Sequence, residues 1–494
     1  MATLLSVLDA GRDEHPALVV PGGPSLTYSR LREEVLRAAE ALAAAGVRRG
    51  DRVALVYPSS AEAIVLFLAA ALAGTAAPLN PAYKPEEFRF YLEDTRARVL
   101  LAAPGEAAAA REALPADASV IEAAFAGDGR LGLSAGPSPG GRLEPPGDDD
   151  VALVLHTSGT TSRPKMVPLR HRHLAASVAN IVPSYRLTAD DVSLCVMPLF
   201  HVHGLVASAL ATLGSGGTVV VPPRFSPFEF WRAVREHDVT WYSAVPTIHG
   251  MLTARTRERP AGASSLRFAR SCSSSLSPQL MAELEGLLGV PVLEAYGMTE
   301  ASHQMASNPL PPQERRPGSV GVGTGVDIAI LGETGDLLPA GGLGEVAVRG
   351  PNVMDGYEAN PSANAEAFGD GWFRTGDEGT LDETGYLTLR GRIKELINRG
   401  GEKIAPREID EVLLRHPAVA EAVAFGLPHD AWGEEVAAAV VLRAEVTRRE
   451  LIDFCRRYLA EFKVPRHLFF VDRIPRGPTG KIQRRSLASA LGPE

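Results

Sequence analysis

Strand-like and helix-like runs alternate along most of this chain, and that alternation restricts its fold more than any other feature. "DRVALVYP" (51–58) is a short apolar run of strand length, and "SAEAIVLFLAAALAGTAAPLNP" (60–81) reads as a helix, a turn and a second strand. Before them, "YSRLREEVLRAAEALAAAG" (28–46) has helical periodicity and ends on Gly46, a C-cap residue. A helix between two strands lets them run parallel, because the crossover lies on the sheet face. The pattern predicts an α/β fold with a mostly parallel sheet. The alanine-rich run 102–125 predicts a surface helix, and "GPSPGGRLEPPGDDD" (136–150) an exposed connection.

The C-terminal third breaks the rhythm. "GDGWFRTGDEGTLDETGYLTLRGRIKELINRGGEKI" (369–404) is a string of short strands parted by Gly and Asp turns. "PREIDEVLLRHP" (406–417) and "RRELIDFCRRYLAEFKVP" (448–465) read as helices around the alternating runs "VAEAVAFGLP" and "EEVAAAVVLR". At 494 residues the chain is too long for one core. The expected division is a large domain of mixed sheets and helices over 1–391, a joint at 392–394, and a small α+β domain over 395–494.

Composition narrows the function. With 45% hydrophobic and 22% charged residues the chain is neither fibrous nor disordered. A net charge of −9 argues against nucleic acid as the partner, since a phosphate backbone requires a basic surface. Cys195, Cys272 and Cys455 are too scattered for a disulfide framework or a structural zinc site and suit a reducing, cytoplasmic setting. The first twenty residues carry early acidic groups instead of a leader's apolar stretch, no run is long enough to span a membrane, and "LGPE" is not a peroxisomal address. Nothing in the pattern specifies an oligomeric state.

"HTSGTTSRPKM" (156–166) follows the buried-strand run "VALVL". Backbone N–H groups and hydroxyls of such a loop can surround one anion, Pro164 restricts the loop and Lys165 adds positive charge, so a phosphate is the natural guest. The Walker A spacing is absent, and alone the stretch reads equally as a solvent-exposed hairpin turn. Four further segments favour a nucleotide. "EAYGMTEASH" (294–303) gathers an aromatic, a glycine, a hydroxyl and a carboxylate. "WFRTGD" (372–377) ends on Asp377, suited to two ribose hydroxyls, and Arg392 in "GRIKELINRGGEKI" can support it. "PTGKIQRR" (478–485) sets Lys481 on a glycine-flanked loop. Singly, Asp377 could fix a turn, Arg392 lie on the surface and Tyr296 belong to the core; their coincidence in one chain argues otherwise.

In this order, and over nearly the whole chain, these segments resemble the adenylate-forming superfamily of acyl-CoA synthetases, stand-alone adenylation domains and luciferases. "PLFHVHGL", "WYSAVPTIH", "LRFARSCSSSLSP", "EAYGMTEASHQMASNPLPP" and "GRIKELINRGGEKIAPREID" are most similar to oxalyl-CoA synthetases. The resemblance implies ATP and coenzyme A as co-substrates, AMP and pyrophosphate as products, Mg²⁺, and a mobile small domain. It implies that Thr157, Ser158, Gly159, Thr160, Thr161 and Lys165 hold the β- and γ-phosphates. Thr299 would bond the α-phosphate, and Glu300, with Thr157 nearby, would hold the metal. Tyr296 would stack on adenine in a pocket completed by Ser274, Ser275, Glu294, Ala295 and Gly297. Lys481 would bridge the acid and the α-phosphate, Lys394 would be the hinge, and Arg399, Gly400, Gly401 and Glu402 would line a thiol path gated by His201.

His203, Ser274 and His303 resemble the positions that contact the acid in oxalyl-CoA synthetases. A small dianion requires such donors, because its second charge must not be buried unpaired. Malonate, nitrite activated for diazo chemistry with an arylamine, loading of a carrier protein, and a non-catalytic nucleotide binder are the competing readings. Met166 departs from the pattern, standing where the family has glycine, and is expected to be tolerated there. Met166→Gly should therefore leave KM for ATP within about a factor of three, under 1 kcal/mol; initial rates against ATP concentration measure it, and a large fall in KM would mean that methionine impairs the loop.

Overall fold

A computed structural model describes residues 3–126, 129–134, 142–157, 164–256, 265–476, 482 and 484–491. Its first sheet has seven strands in the order Leu131–Leu133, Ser119–Phe125, Ala97–Ala102, Arg52–Val56, Thr75–Pro78, Val151–Thr157 and Lys165–Arg170. The five inner strands are parallel and the two outermost pairings antiparallel. The helix Ala61–Ala73 makes one of the crossovers. Ser60 caps it, its hydroxyl accepting from Ala63 N at 3.2 Å. Every residue of the helix except Glu62 is buried, so its sequence is apolar on all sides. One core runs from it to Leu153 and Leu155 of the first sheet and to Val219 and Met305 of the second.

The second sheet has nine strands, ordered Val322–Gly323, His303–Ser307, Val292–Met298, Phe268–Ser271, Trp241–Ala244, Val192–Leu194, Thr218–Val220, Pro16–Val19 and Ser25–Thr27. The run from Val292–Met298 to Pro16–Val19 is parallel. Trp241–Ala244 and Phe268–Ser271 are buried at every position, as central parallel strands are. His303–Ser307 returns antiparallel along Val292–Met298.

From the predicted string of short strands, Trp372–Leu381 and Leu387–Arg392 join Asp327–Leu331, Leu343–Arg349 and Phe368–Gly369 in an antiparallel sheet. A separate sheet begins at Ile397, with strands Ile397–Arg399, Glu402–Ile404, Val419–His429, Gly433–Leu442 and His467–Phe470, and carries its own apolar core including Ile409, Leu413, Val440 and Leu451. The fold is thus α/β with a large N-terminal and a small C-terminal domain.

The alanine-rich run departs from expectation. Only Ala108–Glu112 is helical, and Ser119–Phe125 is a strand beside Ala97–Ala102. Pairing with an existing edge, and burial of Ile121 and Ala123, override alanine's helical preference. All three cysteines are buried and unbridged.

In the small domain the helices Pro406–Leu414 and Arg484–Leu491 meet through a buried ion pair between Asp410 and Arg484. Asp410 also accepts from Ala424 N at 2.5 Å, while Arg484 donates to Ala424 O at 2.7 Å, tying both helices to the strand Val419–His429. Removing Asp410 leaves the largely buried Arg484 with only the longer contact to Glu395, 3.5 Å away. Asp410→Ala should destabilise the small domain by about 3–5 kcal/mol, seen as faster hydrogen exchange of the Val419–His429 and Gly433–Leu442 amides; unchanged exchange would mean that the pair adds nothing.

Candidate active site

Register places the first pair of groups. Across the third sheet Asp377 lies directly opposite Arg392, next to an irregularity in the strand Trp372–Leu381 where Gly376 has φ +72°, a conformation that favours glycine. Arg392 Nε donates to Asp377 Oδ1 at 2.7 Å, and the Tyr296 hydroxyl donates to Oδ2. Asp377 holds the guanidinium's pKa well above its usual value; burial, reinforced by Asp377, raises that of the Tyr296 phenol. A cavity of about 940 Å³ opens here. The large domain lines it with Ser273, Ser274, Ser275, Glu294, Ala295, Tyr296, Gly297, Asp377 and Arg392, and the small domain with Arg407 and Arg484 among others.

A tight reversal positions the next groups. A Cβ on Gly297 would lie 2.0 Å from the His303 carbonyl oxygen, so only glycine lets the strand His303–Ser307 return this closely. Within the reversal, Ser302 has φ +51° and His303 φ +101°, uncommon for residues with a side chain. The turn is held from outside: Asn352 Nδ2 donates to Ala301 O at 2.8 Å and Gln304 O at 3.0 Å, and Ser177 Oγ donates to Ser302 O at 2.8 Å. Strain fixed in this way clusters at functional sites.

Thr299 and Glu300 open the reversal and are buried. The Glu300 carboxylate accepts from Thr157 Oγ1 at 3.3 Å and from the Tyr357 hydroxyl at 3.0 Å. Lys165 lies across the same tyrosine, its Nζ 4.6 Å from the ring centre. Met166 occupies extended strand geometry opposite His156, with its carbonyl accepting from Glu358 N at 3.1 Å, so no glycine conformation is required there. Ser158, Gly159, Thr160, Thr161 and Lys481 lie outside the described residues.

The two imidazoles meet on the far side of the reversal. His203 opens a π-helical run, His203–Leu210, a rare winding, and its ring centre is 5.0 Å from that of His303. His203 Nδ1 is 3.0 Å from Ser273 Oγ and Nε2 is 2.7 Å from Ser243 Oγ. His201 stands two residues earlier, its Nδ1 accepting from His203 N at 3.4 Å.

Other predicted residues lie apart. Lys394 is exposed in a single turn of 3₁₀ helix, Ile393–Glu395. Arg399, Gly400, Gly401 and Glu402 form a hairpin turn that does not line the cavity. There Arg399 pairs with Glu435 at 2.6 Å, and the adjoining Lys403 reaches Glu333 of the large domain at 3.3 Å.

Known proteins match this chain in sequence and in fold. The model of the AMP-binding enzyme family matches residues 9–358, and that of the AMP-binding enzyme C-terminal domain matches 408–481. The chain belongs to the AMP-binding enzyme family. It is 49% identical to a probable CoA ligase, CCL9, of Humulus lupulus, covering 98% of this chain and 95% of the relative. It is 48% identical to the oxalate–CoA ligase of Arabidopsis thaliana, covering 96% and 95%. ATP-bound MatB from Rhodopseudomonas palustris superposes with a TM-score of 0.90 at 34% identity, covering 99% of both chains. This AMP-binding enzyme is accordingly an AMP-forming acid–CoA ligase that uses ATP.

Sequence reasoning did not single out Tyr357, Asn352 or Arg270. Arg270 left a trace, the one charge inside the strand "FARS" (268–271); it is fully buried and donates to the uncharged Tyr185, Ser243 and Gln304.

Glu294 gives the site a pH-dependent cost. Burial pushes its pKa up to about 7 from 4.5, against a hydrogen bond from Gly318 N at 2.8 Å that lowers it. The folded chain therefore holds this proton more tightly than the unfolded one. The stabilisation is full below pH 4.5 and is lost as pH rises to about 7, by about 3 kcal/mol, then stays flat. Glu294→Gln should abolish that decline, most visibly near pH 8, in urea unfolding of both proteins across pH; parallel curves would refute it.

Proposed function

We propose that this enzyme activates oxalate. One oxalate oxygen attacks the α-phosphorus of ATP, pyrophosphate leaves, and a mixed anhydride with AMP forms. The coenzyme A thiolate then attacks the acyl carbon, a thioester forms and AMP departs. Binding in line and neutralising phosphate charge supply most of the rate. In this reading Asp377, supported by Arg392, takes the ribose hydroxyls, and Tyr296, with Ser274, Ser275, Glu294, Ala295 and Gly297, encloses adenine. Thr157, Lys165 and the 158–161 loop hold the outer phosphates and Thr299 the α-phosphate. Lys481, delivered by the small domain, bridges the acid and that phosphate. The small domain pivots at 392–394 about Lys394, bringing the Arg399–Glu402 turn to the thiol path beside His201.

The donor set around Glu300 suits Mg²⁺. It offers a carboxylate with the Thr157 and Tyr357 hydroxyls beside it, oxygen donors only. Among the described residues no cluster of three or more His, Cys, Asp or Glu could hold a metal unaided. That fits an ion completed by phosphate oxygens and water, with Glu300 and Thr157 as protein ligands. When bound, it neutralises phosphate charge.

The observation that carries the oxalate reading is the His203–His303 pair. His203, Ser274 and His303 surround the place for a short polar acid, and Tyr185, Ser243, Arg270 and Gln304 pack behind the two imidazoles. A fatty acid's alkyl chain would require an apolar tunnel in that place. The 48% identity to an oxalate–CoA ligase supports the same reading. The test is a panel of oxalate, malonate, acetate, nitrite, cinnamate and octanoate, with and without coenzyme A, read as AMP release. Oxalate should saturate with the highest kcat/KM and require the thiol; faster turnover of octanoate, or AMP release that requires an aromatic amine, would overturn it.

A further inference from the structure

Arg270 is buried with no carboxylate paired to it among the described residues. Its side chain is 0% exposed, on the central strand Phe268–Ser271. Nε donates to the Tyr185 hydroxyl at 2.7 Å, Nη1 to Ser243 Oγ at 2.8 Å and Nη2 to Gln304 Oε1 at 3.0 Å. Two further contacts reach imidazoles: Nη1 to His203 Nε2 at 3.5 Å, and Nη2 to His303 Nδ1 at 3.3 Å. No ion pair among the described residues includes it. A guanidinium so placed bears the full cost of leaving water without a counter-charge. Structural economy would favour a neutral residue here.

A guanidinium can only donate. Each ring nitrogen that faces it must therefore accept, and the hydrogen of that ring sits on the other nitrogen. For His203 this puts the hydrogen on Nδ1, directed at Ser273, and for His303 on Nε2. Ser243, which accepts from Arg270, passes its own hydrogen to His203 Nε2 and reinforces the same tautomer.

We infer that Arg270 is a positioning residue that locks His203 and His303 as neutral N–H donors and supplies the fixed positive charge that a second carboxylate of the substrate balances. The inference rests on the acid pocket proposed above. It assigns the preference for a dianion to a residue in contact with both imidazoles, and it makes the unliganded pocket electrostatically incomplete.

Two measurements test it on the full-length protein. In the first, kcat/KM for oxalate and acetate is compared in wild type, Arg270→Gln and Arg270→Lys. Arg270→Gln should lower the oxalate-to-acetate ratio at least about tenfold, the scale of a hydrogen bond to a charged group, with KM for ATP unchanged, and Arg270→Lys should restore part of the ratio. A general loss of packing would lower both acids alike. In the second, ¹⁵N-histidine spectra of wild type, assigned with His203→Gln and His303→Gln, should show Nε2 of His203 and Nδ1 of His303 without hydrogen. An unchanged acid ratio in folded Arg270→Gln overturns the role of Arg270 and leaves the oxalate reading standing. Hydrogens on those two nitrogens overturn it even if that variant does not fold. A wild type that ignores oxalate defeats the oxalate reading instead, and the spectra then decide on Arg270 alone.

Discussion

One close approach of two backbones in the large domain, Gly297 against the His303 carbonyl, sets the geometry of the groups around it. Because the strand returns so tightly, about ten residues present groups with different tasks in different directions. Tyr296 faces Asp377 and Arg392, Glu300 faces Thr157 and Tyr357, and His303 faces His203 and Arg270. A side chain at 297 would push the strands apart and separate these sets together. The left-handed backbone at Ser302 and His303 is the cost of the reversal, and Asn352 and Ser177 hold it in place.

The site divides by electrostatic type. The Asp377 corner offers a carboxylate between a cation and a phenol, suited to neutral hydroxyls. The Glu300 corner offers oxygen donors, suited to a hard cation. The imidazole corner sets two rings against a buried guanidinium, a charge suited to an anion. A nucleotide, its metal and a small acid make the same three demands in the same sequence along the molecule, and an acid–CoA ligase must place these three together.

How much of this was legible in sequence depended on how far each residue's role is set by its neighbours in the chain. Asp377 and Arg392 follow from short motifs whose register the two strands then fix. The alternating pattern carried the parallel sheets for a similar reason, since periodicity is local. Tyr357 reaches Glu300 across 57 residues, and Asn352 clamps a turn in another sheet, so neither has a local signature. Arg270 was visible only as a charge out of place in an apolar strand, and its meaning came from partners on four other elements. The run Ser119–Phe125 was misread because alanine's helical preference is local, whereas the strand edge that captured it is not.

The cysteines carry a consequence for an enzyme whose second substrate is a thiol. All three are buried, and burial pushes Cys195 up to about 12 and Cys455 up to about 11. Both are thus withheld as nucleophiles at neutral pH. A mixed anhydride formed in the cleft meets two thiols held in their protonated form and a third, Cys272, closed off from solvent. Burial of its sulfurs thus protects the chain from acylation and capping while a reactive acyl group and a free mercaptan share one chamber.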